Sequence, residues 1–232
     1  MSSVFEDHIV LFLDFLGFGE ASVQLDDALQ TQLLALLQSI AGLRSEFEVE
    51  AEHRQDGSSQ YKVRPAVSTF SDHIVISYPV ERIKMGDNGF GEIVVIGQLH
   101  RYISVIAASA LKIGFLVRGG IARGRLHHAN GVVFGEAMVR AYQLESKVAV
   151  YPRVVVADEL IQGPEAKYGP WLRRDFDGLF CVDYFFNVIW SGSLPGDRFA
   201  ENTKAWYDEI VEQLKSTVSK LQVSGKLAER GK

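Results

Sequence analysis

Five consecutive apolar residues, Ile9 to Leu13, run into Asp14 and then into Gly17 and Gly19. A run of this kind suits a strand covered on both faces, and it predicts strand 8–15. Leu25, Leu29, Leu33, Leu36, Ile40 and Leu43 recur at intervals of three and four, which predicts a helix over about 22–43 with one apolar face. The segment 44–60 turns polar, with Glu46, Glu48, Glu50 and Glu52 before Asp56-Gly-Ser-Ser59, and reads as a loop. Two β-rich runs follow, 61–70 and 73–79. Only Ser71 and Asp72 separate them, so they form a hairpin with Asp72 at or beside its tip. Pro65 predicts an edge position or a bulge. By period two, Arg64, Ala66, Ser68 and Phe70 share a face with Asp72.

A helix over about 92–113 carries Ile96, Leu99, Ile103, Ile106, Ala110 and Ile113 at helical spacing. Val94, Val95, Tyr102 and Val105 widen its apolar face, so a second layer or subunit is expected to cover it. Strand 115–122 comes next, then a turn, a short strand at 131–135 and a helix over 136–146. A strand at 153–158, a short helix from Asp158-Glu159, turns at Gly163-Pro164 and Gly169-Pro170 and a strand region at 180–189 lead to a final helix. That helix places Trp206, Ile210, Leu214, Val218 and Leu221 on one face, and the polar end is expected to fray. The first six elements spell βαββαβ. The fold class is therefore α+β, with a ferredoxin-like βαββαβ core and additional C-terminal strands and helix. A single domain is expected over 1–232, with the core at about 8–160, the C-terminal elaboration at 161–222 and a polar tail at 223–232.

Composition narrows the function classes. The chain has 232 residues, 47% hydrophobic and 23% charged, enough for an ordinary buried core. A net charge of −5 argues against a general binder of nucleic acid or of anionic membranes. Cys181 is the one cysteine, which excludes an intrachain disulfide and a cysteine metal cluster. The apolar run at 9–13 is too short to span a bilayer and no leader pattern precedes it, so a cytoplasmic protein is expected.

The chemistry lies in the two aspartates. In the usual sheet for a βαββαβ unit the first strand lies antiparallel beside the third. The carboxyl end of the first then meets the amino end of the third, bringing Asp14 to Asp72. Two carboxylates at one strand edge repel unless a cation lies between them, and hard oxygen ligands suit Mg²⁺ or Mn²⁺. The pair reads as a two-metal site for a nucleoside triphosphate. The plain structural alternative is one helix-capping and one turn aspartate. Ser-Asp is not the Asn-Gly or Asp-Gly pair that a tight hairpin prefers, which points to a turn chosen for chemistry. Arg118, Arg123 and Arg125 gather among glycines and suit triphosphate charge, or else a twisted hairpin with solvated arginines. Arg64, with Tyr61 or Tyr78 nearby, is a candidate for a base or phosphate contact, or else a solvated edge-strand residue. His127-His128 has no third ligand at suitable spacing and is discounted as a metal site.

Taken together, Phe12-Leu-Asp-Phe-Leu-Gly-Phe18, Phe70-Ser-Asp-His-Ile-Val-Ile76, Arg118-Gly-Gly-Ile-Ala-Arg-Gly124 and Gly135-Glu-Ala-Met-Val-Arg-Ala-Tyr-Gln-Leu-Glu145 resemble the class III nucleotide cyclase homology domain. The resemblance covers roughly 8–160. It implies that Asp14 and Asp72, with the Phe15 carbonyl, hold two Mn²⁺ or Mg²⁺ ions, that the backbone of Phe15, Leu16, Gly17 and Phe18 cradles the phosphates, and that Arg118 meets the triphosphate. It also implies a head-to-tail homodimer whose sites are completed across the interface.

Departures from that pattern are informative. Val139 and Gln143 stand where purine cyclases carry a helix-borne asparagine and arginine, leaving Arg140 or Arg123 as the substitute. Ala66 and Val132 stand near the places of the purine-selecting lysine and aspartate, and neither reads a purine edge. An altered base pocket on an intact metal pair resembles the Pycsar group of bacterial antiphage pyrimidine cyclases. That likeness implies conversion of UTP, or CTP, to a 3′,5′-cyclic monophosphate that activates a separate effector. The alternatives are a purine cyclase with a relocated base pocket and a catalytically silent nucleotide-binding dimer.

Overall fold

In the computed structural model, which describes residues 4–19, 27–42, 49–53, 59–83, 90–161, 168–169, 171–184, 208 and 211–219, the first apolar run forms β1 (Glu6–Leu16). Helix α1 (Asp27–Gly42), strands β2 (Val49–His53), β3 (Ser59–Val63), β4 (Ala66–Phe70) and β5 (His73–Pro79), and helix α2 (Phe90–Lys112) follow. Strand β6 (Leu116–Ala129) then turns into β7 (Val132–Gly135), helix α3 (Glu136–Gln143) and strands β8 (Val154–Val156), β9 (Leu172–Arg174) and β10 (Phe180–Val182). The main sheet runs β4-β5-β1-β6-β8-β10-β9, with β7 paired to β6. Its first four strands are the antiparallel βαββαβ sheet expected from the sequence, with β1 between β5 and β6.

Burial explains why β1 is apolar throughout. Ile9, Leu11 and Leu13 face α1 and α2, meeting Leu33, Leu36, Ile40, Ile96, Leu99 and Ile103. Val10 and Phe12 face the other way, against Ala122 on β6 and Ala137 and Ala141 on α3. The approach of α3 to the sheet is close: a Cβ at Gly120 would lie 2.3 Å from the Ala141 carbonyl oxygen.

Several boundaries differ from expectation, each for a physical reason. The strand expected over 61–70 is two strands, because Pro65 has no N–H for a ladder and the chain leaves the sheet at Arg64-Pro65. Tyr61 consequently lies on β3, in a separate two-stranded sheet with β2. The expected 44–60 loop holds β2, in which Val49 and Ala51 alternate with Glu50 and Glu52, a period-two pattern. Strand β6 continues to Ala129 and turns at Asn130 (φ 52°) and Gly131 (φ 78°), the paired left-handed residues that a tight hairpin needs. The helix after β7 widens into a π-helical turn over Leu144–Val148. Strand β9 was not anticipated, and β10 is shorter than the region 180–189. Trp206, Ile210 and Leu221 lie outside the described residues.

The wide apolar face of α2 is covered largely from within. Ala108 and Leu111 pack with Leu116 against Leu214 and Val218 of the helical segment 211–219, while Val105 stays 43% exposed. Helix α2 has the length and apolarity of a membrane span over Gly91–Lys112, yet 67% of that window is buried in the fold. It is the covering helix of the sheet.

The far edge of the sheet is held by charge. Buried Arg153 pairs with Asp175 at 3.1 Å and Asp177 at 2.7 Å, and its guanidinium lies over the Tyr151 ring. The Tyr151 hydroxyl donates to Asp175. Cys181 lies beside this cluster, and burial pushes its thiol up to about 11, so it is an inert core residue.

Two expectations follow from this packing. Gly120→Ala forces a methyl group into the α3 backbone and is expected to lower stability by about 1–3 kcal/mol in denaturant unfolding. Hydrogen bonding lowers the Asp175 carboxyl, chiefly from Tyr151, and the Asp177 carboxyl, chiefly from Arg153. Their stabilisation is full above the ordinary value of 3.8 and is lost as pH falls through the lowered folded values. The acid limb of a melting-temperature profile is therefore expected to flatten in the Asp175→Asn/Asp177→Asn variant.

Candidate metal centre

Strand register builds this centre. Asp14, the penultimate inward position of β1 on the α3 side of the sheet, stands directly across from His73 on β5 and from Arg118 on β6. The β4–β5 hairpin turns on Ser71-Asp72, and Ser71 adopts φ 55°, the left-handed region that a residue with a side chain enters at a cost of about 1 kcal/mol or more. The Phe15 N–H donates to the Asp72 carbonyl oxygen at 3.3 Å and ties the turn to the end of β1. Asp14, Asp72 and His73 thereby offer one ligand atom each, all within 4.8 Å of one another.

Asp14 is buried and Asp72 half-buried. Burial raises the Asp14 carboxyl above its ordinary range even though Arg118 beside it pulls the other way, and Asp72 adds to the rise. Desolvation thus outweighs the neighbouring guanidinium at this carboxylate. Two carboxylates and an imidazole, aimed together at a half-open strand edge, are a donor set that fits a divalent ion.

Arg118 does not reach freely into solvent, as its triphosphate role would suggest. Its Nε lies 2.9 Å from Asp14 Oδ2 and 2.6 Å from Glu145 Oε1. Glu145, on the π-helical turn and only 2% exposed, is the residue that sequence reasoning missed here. An acidic side chain on a short helix gives no local sign of burial; its partner lies on another strand. His73 was the other omission, although it adjoins Asp72 in the chain. Its ring lies between Phe12, at 5.1 Å, and Phe70, at 5.3 Å and stacked, with Tyr142 against Phe12.

The rest of the expected site divides. Gly17 has φ 87° and open space around it, and Phe15 and Phe18 pack on Phe115, so the Phe15, Leu16, Gly17 and Phe18 segment offers backbone rather than side chains. Ala66 and Arg64 line a cavity of about 530 Å³ with His8, His127 and His128. In that cavity His128 bonds Ser68 at 2.9 Å and Ser77 at 2.8 Å through its two ring nitrogens. Val132, 54% exposed, sits at the tip of the β6–β7 hairpin, at the opposite end of the sheet from Asp14. Ala66, Arg64 and Val132 therefore do not join Asp14 and Asp72 within one chain.

Arg123 needs correction as a substitute for the helix-borne groups. It stands across from Ile9, five residues from Asp14 along β1, and pairs with Asp7 at 2.6 Å and with Glu92 on α2. Its side chain thus serves the α2 face of the sheet, away from α3. Arg140, on α3 itself, pairs with Glu159 and donates to the Arg123 carbonyl at 3.1 Å. Val139 is exposed on the same helix.

No protein-family profile matches the chain, and no curated protein does. Among solved structures it is similar to a bacterial light-regulated adenylyl cyclase, with TM-score 0.49 and 11% identity over 89% of this chain and 57% of that one. A second structure of a bacterial light-regulated adenylyl cyclase gives TM-score 0.45 and 12% identity over 78% of this chain and 52% of that one. The chain thus spans little more than half the length of either. The site is argued from its own geometry.

The charge arrangement ranks two substitutions. Arg118→Ala leaves Asp14 and Glu145 buried without their cation and is expected to cost about 3–5 kcal/mol. Glu145→Gln keeps Arg118 paired with Asp14 and is expected to cost about 1–3 kcal/mol. Chemical denaturation of both variants checks the order.

Proposed function

We propose that the chain is a pyrimidine nucleotide cyclase, converting UTP, or CTP, to the 3′,5′-cyclic monophosphate and pyrophosphate. The observation that carries this reading is the meeting of Asp14 and Asp72 at adjoining strand ends beside a glycine turn, at 4.8 Å or less between ligand atoms. Divalent ions held there would lower the pKa of the ribose 3′-hydroxyl and balance the charge of the departing pyrophosphate. The 3′-oxygen bonds to the α-phosphorus as the bond to the pyrophosphate oxygen breaks. In this reading Asp14, Asp72 and the Phe15 carbonyl hold two Mn²⁺ or Mg²⁺ ions, and the backbone of residues 15–18 holds the phosphates. Arg118, engaged through Nε by two carboxylates, would turn its remaining N–H groups to the triphosphate. Of the two proposed substitutes, Arg140 is the one that α3 carries, and it would stabilise charge growing in the transition state.

The separation of the two groups of residues supports a head-to-tail homodimer. Arg118, opposite Asp14, and Ala129, opposite Val132, are eleven residues apart along β6, a span of about 36 Å at the usual strand rise. A second copy running the other way would bring its Arg64, Ala66 and Val132 to the metal centre of the first. Apolar Ala66 and Val132 give a purine edge no charged partner, which supports the pyrimidine over the alternative purine substrate. The resemblance to the Pycsar group supports the wider role, a second messenger for a separate effector in bacterial antiphage defence.

Purified protein supplied with ATP, GTP, CTP or UTP and Mn²⁺ tests the proposal, with products resolved by chromatography and mass. One cyclic pyrimidine product is expected, absent in Asp14→Ala and in Asp72→Ala. Cyclic AMP or cyclic GMP alone would assign the purine reaction instead. Metal-dependent binding of a triphosphate without turnover would assign a silent nucleotide-binding dimer.

A further inference from the structure

We infer that His73 is a ligand of the metal centre and that its ring nitrogen sets a preference for Mn²⁺ over Mg²⁺. The inference rests on the reading of Asp14 and Asp72 as metal-holding residues. It goes beyond that reading by adding a nitrogen donor to an all-oxygen set.

Spacing supports the assignment. His73 Nδ1 lies 3.0 Å from Asp72 Oδ1, and its Nε2 lies 3.8 Å from Asp14 Oδ1. Two adjacent ligands of an octahedral ion, each about 2.1 Å from it, lie about 3 Å apart, and two opposite ones about 4.2 Å. The Nδ1 spacing to Asp72 is that of two adjacent ligands, and Asp14, Asp72 and His73 each place one donor atom within 4.8 Å of the others. The carboxylates alone do not exhaust the centre: His73 brings a third donor beside Asp72.

The ring is also held in place. His73 begins β5 directly across from Asp14, so its backbone is fixed by the ladder rather than by a loop. Phe70 stacks on the ring with an interplanar angle of 21°, and Phe12 lies against it at 5.1 Å. A ligand set on a strand and clamped by packing loses little freedom on binding an ion. The side chain stays 29% exposed, which leaves an approach from solvent.

The choice of ion follows from donor chemistry. Mg²⁺ takes oxygen ligands, demands near-ideal octahedral geometry and gives up water reluctantly. Imidazole is a donor for first-row transition ions, and Mn²⁺ combines that with the carboxylate and water ligands that suit Mg²⁺. A set of two carboxylates and an imidazole therefore selects Mn²⁺ when both ions are present.

The experiment uses the whole chain and Mn²⁺ as the probe, without nucleotide. Pulsed electron paramagnetic resonance of bound Mn²⁺ reports directly on a coordinated ¹⁴N nucleus. Wild type is expected to show nitrogen modulation, and His73→Phe, which keeps the stacked ring and removes both nitrogens, is expected to lose it. In parallel titrations the same variant should weaken Mn²⁺ binding by at least about tenfold, the smallest loss usual even for groups one step removed from a metal, while Mg²⁺ binding stays within about twofold. Mn²⁺ bound by wild type without nitrogen modulation, and lost in Asp14→Asn, would overturn the His73 assignment and leave the aspartate reading standing. An equal loss of both ions in His73→Phe would make His73 a positioning residue for Asp72 and likewise overturn the assignment. Wild type that binds no Mn²⁺ would overturn both readings.

Discussion

The structure depends on a strand that is buried on both faces and paired on both edges. Nothing in such a strand can reach water, so β1 is apolar from Ile9 to Leu13 and any charge at its end must be met by its neighbours. Asp14 is that charge. The two residues directly opposite it, His73 and Arg118, are the two that can answer it, and they come from different hairpins. A shift of one residue in either pairing would turn Asp14 toward the α1–α2 layer, against the apolar cluster of Leu33, Ile96 and Leu99. Register and electrostatics therefore specify each other.

That coupling explains what was legible in the sequence. The β1 run, the periodic faces of α1 and α2 and the Ser71-Asp72 hairpin are local signals, and together they place Asp14 beside Asp72. The hairpin at Asn130-Gly131 was also a local signal, yet the glycines and arginines before it drew the turn too early. Strand β2 was hidden because alternating glutamates raise polarity as a loop does, although their period is that of a strand. Glu145 had no local signal at all. Its burial follows from Arg118, which a short helix and a widened turn bring to it from across the sheet. His73 did have a local signal, because its imidazole adjoins Asp72 in the chain.

The division of the expected site residues is a consequence of the same long strands. Strand β6 is 14 residues long, and its two ends cannot serve one small molecule. One end presents carboxylates and a glycine turn; the other presents Arg64, His128 and the cavity between β4 and the β6–β7 hairpin. Exposed Val132, Phe134, Val139 and Tyr142 run along the hairpin and α3 between them.

Arg118 sets the charge balance of the centre. A guanidinium beside Asp14 occupies the carboxylate that an ion would need, and by itself it would oppose binding. Glu145 changes that balance, because it gives Arg118 a buried partner 2.6 Å away that does not belong to the metal-facing set. Were an ion held by Asp14, Arg118 would keep Glu145 as its buried partner, and Glu145 would keep its cation. The cluster of Asp14, Asp72, Glu145 and Arg118 carries a formal charge of −2 when the acids are ionised, which one divalent ion neutralises. The fold thus keeps its buried arginine paired on two sides, by Asp14 and by a glutamate outside the group of Asp14, Asp72 and His73.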